Sequence, residues 1–267
     1  MAEISSAADV LPAAGMPFRR ILGMRVDAPR GYDEAVDRIV GWTGESVART
    51  IGVATVNNVM ESYDYVSFRD VMNACDLVTP DGMPLVWGLS MLGVRSATRV
   101  CGPELTPLLL ARAAEQGIPV GFYGGDRRTI ESLVKVAVSK WPSLQVAYAV
   151  SPPFRPLTPQ EDEAVVDAIT AAGVRLLFVG LGCPKQERWM AEHRERLPIV
   201  TIGVGAAFDF LAGSKRQAPA FLQRWGLEWA FRLVTEPRRL WRRYLRQNPR
   251  FVALFARQLV RERRRPR

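Results

Sequence analysis

Short apolar runs alternate with amphipathic segments along residues 50–212, and this alternation constrains the fold more than any other feature of the chain. Each run is β-rich, and the segment after it carries apolar residues at helical spacing. Strands that alternate with helices predict a parallel sheet covered by helices. The runs are TIGVATVNN (50–58), CDLVTPDGMPL (75–85), IPVGFYGG (118–125), LQVAYAV (144–150), RLLFVGLG (175–182) and PIVTIGVG (198–205).

The predicted fold class is therefore α/β: a doubly wound, mostly parallel, Rossmann-like sheet with a basic helical C-terminal appendage. Right-handed crossovers place helices on both faces, and a ligand crevice lies along the carboxyl ends of the strands. A chain of 267 residues accommodates one large domain and an appendage better than two full domains. We expect a flexible N-terminus at 1–17, an α/β domain at 18–213 that begins with an edge strand from Phe18 to Val26, and the appendage at 214–267.

The end of the chain carries most of its positive charge. Residues 215–267 contain sixteen Lys or Arg and three acidic residues, a net charge of +13, whereas the whole chain carries +9. The preceding 214 residues therefore carry about −4. Aromatic residues and leucines are interleaved with these arginines at helical spacing, which is typical of a surface that meets phosphates or an anionic membrane. No segment reaches about 18 uninterrupted apolar residues, so we expect peripheral membrane contact and no transmembrane helix.

The cysteine and histidine content argues against a His/Cys metal site. Cys75, Cys101 and Cys183 are far apart and form no CxxC pair, and the single histidine is His193. We expect His193 to lie on a solvated helix face. Widely spaced cysteines favour a reduced, cytoplasmic setting, and the N-terminus lacks the basic start and continuous apolar core of a signal peptide.

Glycines and polar residues follow several of the predicted strands, where a backbone can approach a phosphate at a helix N-terminus. The segments GVGAAF and GLGCPK do not complete the dinucleotide fingerprint, and the chain contains no Walker A motif. These absences disfavour a nicotinamide-dependent enzyme and a P-loop NTPase, but they do not exclude a nucleotide-linked substrate. No cofactor is predicted.

Each candidate residue also has a purely structural interpretation. Asp81, in the Pro-Asp-Gly turn, can hydrogen-bond its own backbone, and Asn57 at a strand end can form a turn. Gln186 can open a helix after Pro184. Arg99 is one arginine among many.

Six motifs occur in a fixed order, and their combination is more specific than any one of them. They are TVN (55–57), TPDGMPLVW (79–87), RVCGPEL (99–105), GLGCPKQE (180–187), GVGAAFDFLAG (203–213) and GLEWAFRLVTEPRRLWRRYL (226–245). Together they resemble the WecG/TagA/CpsF family of bacterial glycosyltransferases (glycosyltransferase family 26), over roughly residues 20–250.

The resemblance implies an inverting transferase that moves a hexose or N-acetylhexosamine-type sugar from a UDP-sugar to a polyprenyl-diphosphate-linked saccharide. It implies peripheral attachment to the cytoplasmic face of the cell membrane and a role in cell-surface polysaccharide synthesis. It makes 18–213 the catalytic domain and Asp81 the general base. It assigns these residues to substrate binding: Thr55, Asn57, Arg99, Gln186 and, in the appendage, Arg232, Arg239 and Arg242.

The chemistry of the reaction agrees with this assignment. An inverting transfer needs one carboxylate to accept the proton of the acceptor hydroxyl, and positive charge to stabilise the departing UDP. Arginine is permanently charged and planar, which suits a diphosphate. Since the chain contains no D-x-D motif, we expect a metal-independent mechanism that uses the arginines.

The appendage is expected to have two parts. Residues 226–245 supply arginines to the site, and the part from Asn248 onward, with Phe251, Leu254 and Phe255, faces lipid. The alternative is that the aromatic residues of the appendage pack on the core of the body.

The main competing function is a nucleic-acid-binding protein that uses the basic tail. Both functions predict salt-sensitive binding of anions, so charge alone does not separate them. The aromatic and leucine content favours a lipid interface and no nucleic acid partner. A nicotinamide-dependent enzyme is a third alternative. The sequence leaves open the identity of the donor, the acceptor saccharide and whether the protein forms a homo-oligomer.

Overall fold

Parallel strands form the central sheet of the protein, for which a computed structural model describes residues 15–219, 222 and 225–264, except the side chains of Arg239 and Arg243. All six predicted runs are strands of this sheet, so the α/β prediction is confirmed. The strands are β3 (Arg49–Ala54), β4 (Leu77–Pro80), β5 (Val120–Gly124), β6 (Val146–Val150), β7 (Leu176–Gly180) and β8 (Val200–Gly203).

The order across the sheet in the described part of the chain is β4-β3-β8-β7-β5-β6, and every neighbouring pair is parallel. Ile51 of β3 pairs with Leu77 of β4 on one side and with Ile202 of β8 on the other. β3 and β8 are thus adjacent although they are the first and last strands of the sheet in the sequence. Such a reversal of strand order opens a crevice at the carboxyl ends.

Helices cover both faces of the sheet, as a doubly wound fold requires. On one face, the buried cluster takes residues from α1 (Tyr32–Thr43), α5 (Gly102–Gln116), α6 (Arg127–Lys140) and α9 (Ala207–Leu211). On the other, the clusters take residues from α2 (Val56–Asp64), α3 (Val66–Asn73), α4 (Met83–Met91), α7 (Pro159–Ala171) and α8 (Lys185–Glu192).

The run RLLFVGLG is apolar from Leu176 to Val179 because β7 is buried on both faces. Leu176 and Phe178 belong to the cluster on one side of the sheet, whereas Leu177 and Val179 belong to the cluster on the other. Alternate side chains of a strand point to opposite faces, so a strand covered on both sides needs an apolar residue at every position.

The single edge strand predicted from Phe18 to Val26 is wrong. This segment is a hairpin of β1 (Phe18–Ile21) and β2 (Met24–Asp27), which pair antiparallel in a separate sheet. The reversal occurs at Leu22 and Gly23, whose φ angles are 51° and 91°. Glycine adopts such a φ at no steric cost, and its presence in the run is the signal for a turn.

The basic appendage forms two helices in its described part, α10 (Glu228–Thr235) and α11 (Pro237–Arg263), and α11 continues through Pro249. It packs on the body. Arg250 makes hydrogen bonds of 2.7 and 2.6 Å to the carboxylate of Asp64, and the side-chain amide of Gln258 bonds the backbone of the β1–β2 hairpin.

The expectation that Phe251, Leu254 and Phe255 face lipid is wrong. Phe251 and Phe255 are only 5% and 6% exposed, and they join the core cluster that contains Ile21 and Leu89. Leu254 is partly buried against the same cluster. The alternative, that aromatic residues of the appendage pack on the body, holds for these positions because one side of α11 lies directly on the hairpin and α4.

His193 is buried and not on a solvated face, which corrects the prediction. Its side chain is 4% exposed, and its ring stacks on Trp189 with a centroid separation of 4.1 Å. Its Nε2 lies 2.8 Å from a carboxylate oxygen of Asp162 on α7. Since α7 covers the end of α8, a residue that appears polar in sequence is enclosed between two helices.

Residues 1–14 of the segment predicted as a flexible N-terminus lie outside the described residues. The domain boundaries at 18–213 and 214–267 stay a prediction. Among the helices described, none combines the length and the apolar content needed to cross a membrane.

Candidate active site

A cavity of about 490 Å³ lies at the carboxyl ends of β3 and β4, between the sheet, α4 and the two helices of the appendage. It lies along the carboxyl ends of the strands, the edge at which a doubly wound sheet binds ligands. Five of the predicted site residues line it: Thr55, Asn57, Asp81, Arg99 and Arg232.

Asp81 is held at the rim of this cavity by the sheet itself. Its backbone N–H donates a hydrogen bond of 2.8 Å to the carbonyl oxygen of Ala54, which continues the pairing of β3 with β4 by one residue. Gly82 then caps α4, so the carboxyl group stands between a strand end and a helix start. The turn interpretation and the functional interpretation of Pro80-Asp81-Gly82 are therefore compatible.

Two arginines and a second carboxylate surround Asp81. Arg99 is positioned by Val100, whose N–H donates to the carbonyl oxygen of Pro80 at 3.0 Å. A terminal nitrogen of Arg99 lies 3.6 Å from Asp81 Oδ1 and also pairs with Glu228 of α10. The other oxygen of Glu228 lies 2.7 Å from Arg232.

Arg232 is further held by an aromatic ring of the body. Its guanidinium lies over Phe210 of α9 at 5.1 Å from the ring centroid. Such stacking fixes the plane of a guanidinium without using its N–H donors. The two arginines of the site thus come from different parts of the chain and are linked through the carboxylate of Glu228.

The surroundings raise the pKa of Asp81 to about 6. Burial is the largest cause, since its side chain is only 15% exposed, and the negative charge of Glu228 adds to it. The charges of Arg232 and Arg99 oppose the shift. A carboxyl group with a pKa near neutrality is ionised at pH 7 yet is a stronger base than an ordinary aspartate, as a general base requires.

Thr55 and Asn57 are placed by the first turn of α2. Thr55 caps this helix: its hydroxyl accepts a hydrogen bond of 3.2 Å from the N–H of Asn57 and donates one of 2.9 Å to Asn58 Oδ1. The side-chain amide of Asn57 donates to Cys183 Sγ at 3.2 Å. Asn57 thus lies in the first turn of a helix and not in the turn considered from the sequence, and both residues line the cavity.

Gln186 does not line the cavity but lies in a buried layer beside it. Its Nε2 donates to Glu187 Oε1 at 3.1 Å, and Asn58 Nδ2 donates to the same oxygen at 2.9 Å. Because Asn58 also binds Thr55, this network connects α8 to the cavity wall. Burial raises the pKa of Glu187.

Of the two remaining predicted arginines, Arg242 does not line the cavity. Arg242 is exposed, and its guanidinium lies over the neighbouring Trp241 at 5.3 Å from a ring centroid. The side chain of Arg239 lies outside the described residues. The binding roles assigned to both stay predictions.

Glu228 is the residue that sequence reasoning missed. It stands in the quoted run GLEWAFRL, but nothing in its spacing marks it as a partner of two arginines. The glycine at position 226 is the sequence signal that the appendage comes close to α4. Its φ is +69°, and an added Cβ would lie 3.0 Å from Trp87. A larger residue there would push α10 away from the site.

Within the described residues, no three His, Cys, Asp or Glu side chains converge as a metal site would require. Among the described residues that line the cavity, Arg99 and Arg232 carry the positive charge. Planar guanidinium groups match the geometry of phosphate oxygens.

Fold and site together define an α/β enzyme whose crevice combines one carboxyl group of raised pKa with arginines suited to a phosphorylated substrate. The chain belongs to the glycosyl transferase WecG/TagA/CpsF family, whose family model matches residues 19–265. It is a glycosyltransferase, and the predicted resemblance is confirmed.

A relative with a stated activity supports the same class. The chain is 31% identical over 179 residues to the N-acetylglucosaminyldiphosphoundecaprenol N-acetyl-beta-D-mannosaminyltransferase of Bacillus spizizenii. The aligned part covers 67% of each of the two chains. The roles of individual site residues remain predictions.

Proposed function

We propose that this enzyme is a UDP-sugar-dependent hexosyltransferase that moves a hexose or N-acetylhexosamine-type sugar to a polyprenyl-diphosphate-linked saccharide, with inversion, in cell-surface polysaccharide synthesis. The observation that carries the proposal is the placement of Asp81, Arg99 and Arg232 in one crevice. The name of the Bacillus relative supports a sugar acceptor on a polyprenyl diphosphate and an N-acetylhexosamine as the group transferred.

Asp81 is the general base of the proposed reaction. Its carboxylate takes the proton of the acceptor hydroxyl while the hydroxyl oxygen attacks the anomeric carbon of the donor. The bond between that carbon and the β-phosphate oxygen breaks, and UDP leaves with the electron pair. One displacement inverts the anomeric centre. With a pKa of about 6, Asp81 is ready to accept a proton at neutral pH.

Arg99 and Arg232 stabilise the departing UDP. Negative charge grows on the β-phosphate as the bond breaks, and guanidinium groups fixed beforehand stabilise it without reorganisation. Both arginines bind the carboxylate of Glu228 in the described structure. The donor diphosphate therefore competes with Glu228 for them. No metal is required in this proposal.

The appendage attaches the enzyme to an anionic membrane surface, on the cytoplasmic face where nucleotide sugars occur. Trp241 and Leu245 of α11 are 45% and 67% exposed and lie one helical turn apart. Arg242 and Arg246 are exposed nearby. Aromatic and apolar residues among arginines suit the boundary between lipid head groups and acyl chains.

The test is a UDP-release assay across donors, with N-acetylglucosaminyl diphosphate on a short isoprenoid chain as acceptor. We expect acceptor-dependent UDP release with one donor among UDP-N-acetylmannosamine, UDP-N-acetylmannosaminuronic acid and UDP-glucose, and a product of inverted anomeric configuration by NMR. Activity is expected to persist in excess chelator. Absence of acceptor-dependent release with every UDP-sugar would contradict the proposal.

A further inference from the structure

The cavity described above has two chemically different ends. Near β3 and β4 its wall carries Asp81, Arg99 and Arg232. Away from the sheet it continues as a groove between α4 and α11, whose walls are almost entirely apolar. The two ends form one continuous space, so a ligand that fills it has an anionic, polar end and an apolar end.

The walls of the groove are the facing sides of two helices. On α4, Met83, Trp87 and Met91 recur every four residues. On α11, Val252 and Ala256 are also four residues apart, and Leu259 follows. Residues at these intervals lie on one side of a helix. The buried rings of Phe251 and Phe255 form the floor.

The residues of α11 that line the cavity are polar near α10 and apolar farther along the helix, which matches a ligand with a polar head and an apolar tail. Tyr244, Gln247 and Asn248 line the cavity nearest to α10, where the ring of Tyr244 meets Trp229 at 6.3 Å. Only apolar residues of α11 line the part beyond them. From Tyr244 to Leu259 the helix spans about 22 Å, at a rise of about 1.5 Å per residue.

We propose that this groove binds the first isoprene units of the lipid-linked acceptor, whose diphosphate lies beside Tyr244, Gln247 and Asn248 and whose sugar reaches Asp81. This inference rests on the proposed function and adds where the lipid chain binds. Charge and polarity select the occupant: the arginine end excludes a wholly apolar ligand, and the apolar walls exclude a soluble sugar phosphate.

The groove opens on an exposed side of α11, where a bound polyprenyl chain can continue into a membrane. Val252 lines the groove and is 64% exposed. It lies seven residues after Leu245, hence on the same side of α11 as the exposed Trp241 and Leu245. A polyprenyl chain leaving the groove therefore emerges on the face proposed to meet lipid.

Two alanines of α11 provide a matched test. Ala256 and Ala253 are both exposed, but only Ala256 lines the groove. Ala256→Trp fills the groove, whereas Ala253→Trp adds the same side chain outside it. Each variant is assayed with two acceptors that share an N-acetylglucosaminyl diphosphate head and carry either a farnesyl or a methyl group. Thermal unfolding verifies that both variants fold.

We expect the wild-type enzyme to prefer the farnesyl acceptor in kcat/KM by at least about tenfold, since each methylene withdrawn from water contributes a factor of about four. The preference should collapse in Ala256→Trp and persist in Ala253→Trp. The assay contains no membrane, so a tryptophan that binds lipid bilayers more tightly does not change the measured preference.

The outcomes separate the two proposals. If the wild-type enzyme glycosylates neither acceptor, the proposed function fails. If it uses both equally well, the function stands and the groove assignment is overturned. An equal loss of preference in Ala253→Trp and Ala256→Trp also overturns the assignment, because only one of these positions lines the groove.

Discussion

Nε of Arg99 donates a hydrogen bond of 2.6 Å to the backbone carbonyl oxygen of Asp81, the residue whose carboxyl group it also faces. The bond fixes the guanidinium to the turn that carries the carboxyl. The charge of Arg99 is nevertheless shared, because a terminal nitrogen pairs with Glu228 and stays 3.6 Å from Asp81 Oδ1. This division leaves Asp81 with a raised pKa while two cations remain beside it.

Replacing Asp81 by Asn should abolish turnover but not donor binding. The amide keeps the shape of the side chain and cannot accept a proton, so kcat should fall by at least about 100-fold. UDP binding, measured by calorimetry, should stay nearly intact because the arginines remain. Retained turnover in Asp81→Asn would remove the base assignment.

Replacing Glu228 by Gln should move the acid limb of the pH profile to lower pH. In the wild-type enzyme kcat/KM should rise with pH through about 6, as Asp81 loses its proton. Glu228→Gln removes a like charge and frees Arg99 and Arg232 to interact with Asp81, and both changes lower the pKa of Asp81. The profile is measured from pH 4.5 to 9 at constant ionic strength. If the acid limb of the profile does not move in Glu228→Gln, a group other than Asp81 controls it.

Replacing Arg232 by Ala should weaken UDP binding. Loss of a charge-assisted contact to the diphosphate should raise the Kd by about tenfold or more. Arg257→Ala is the control, because Arg257 is exposed on α11 and does not line the cavity. Calorimetry with UDP in the absence of lipid isolates the site effect. Equal Kd values for the two variants would contradict the assignment of Arg232 to the diphosphate.

Replacing Phe255 by Ala should destabilise the protein. Its ring is buried in the core cluster with Ile21, and it also approaches Gly88 of α4, where an added Cβ would lie 3.3 Å from the ring. Deleting such a ring typically costs about 3–5 kcal/mol in the free energy of unfolding. Urea denaturation measures the loss. Val260→Ala, at an exposed position of the same helix, should change stability by less than about 1 kcal/mol. A similar small loss in Phe255→Ala would show that α11 does not pack as described.

Replacing Trp241 and Leu245 together by Ser should reduce binding to anionic vesicles by at least about tenfold, since each buries apolar surface at the proposed lipid interface. Co-sedimentation with phosphatidylglycerol vesicles provides the measurement. Val138→Ser on α6, an exposed apolar position of the body, is the control and should bind as the wild type does.

Titration with single- and double-stranded oligonucleotides tests the competing function: tight oligonucleotide binding without vesicle binding would favour a nucleic-acid-binding protein.

Much of the framework could be predicted from the sequence because strands and helices leave local signatures. An apolar run such as residues 175–182 and the helical spacing after it depend on neighbours only a few positions away. The same holds for the turn at Asp81, which follows a strand and precedes a helix. The prediction of one strand from Phe18 to Val26 was wrong because the turn signal at Gly23, in the β1–β2 hairpin, was not used.

The sequence alone determined the alternating α/β pattern, the strand ends that carry Thr55, Asn57 and Asp81, and the basic aromatic character of the appendage. Only the tertiary structure decided that Glu228 meets Arg99 across 129 residues of sequence, that Phe255 is buried and that the cavity continues as an apolar groove. The reason is physical. Periodicity records which side of an element is apolar, whereas pairing, pKa and cavity shape depend on which elements pack together after the chain has folded.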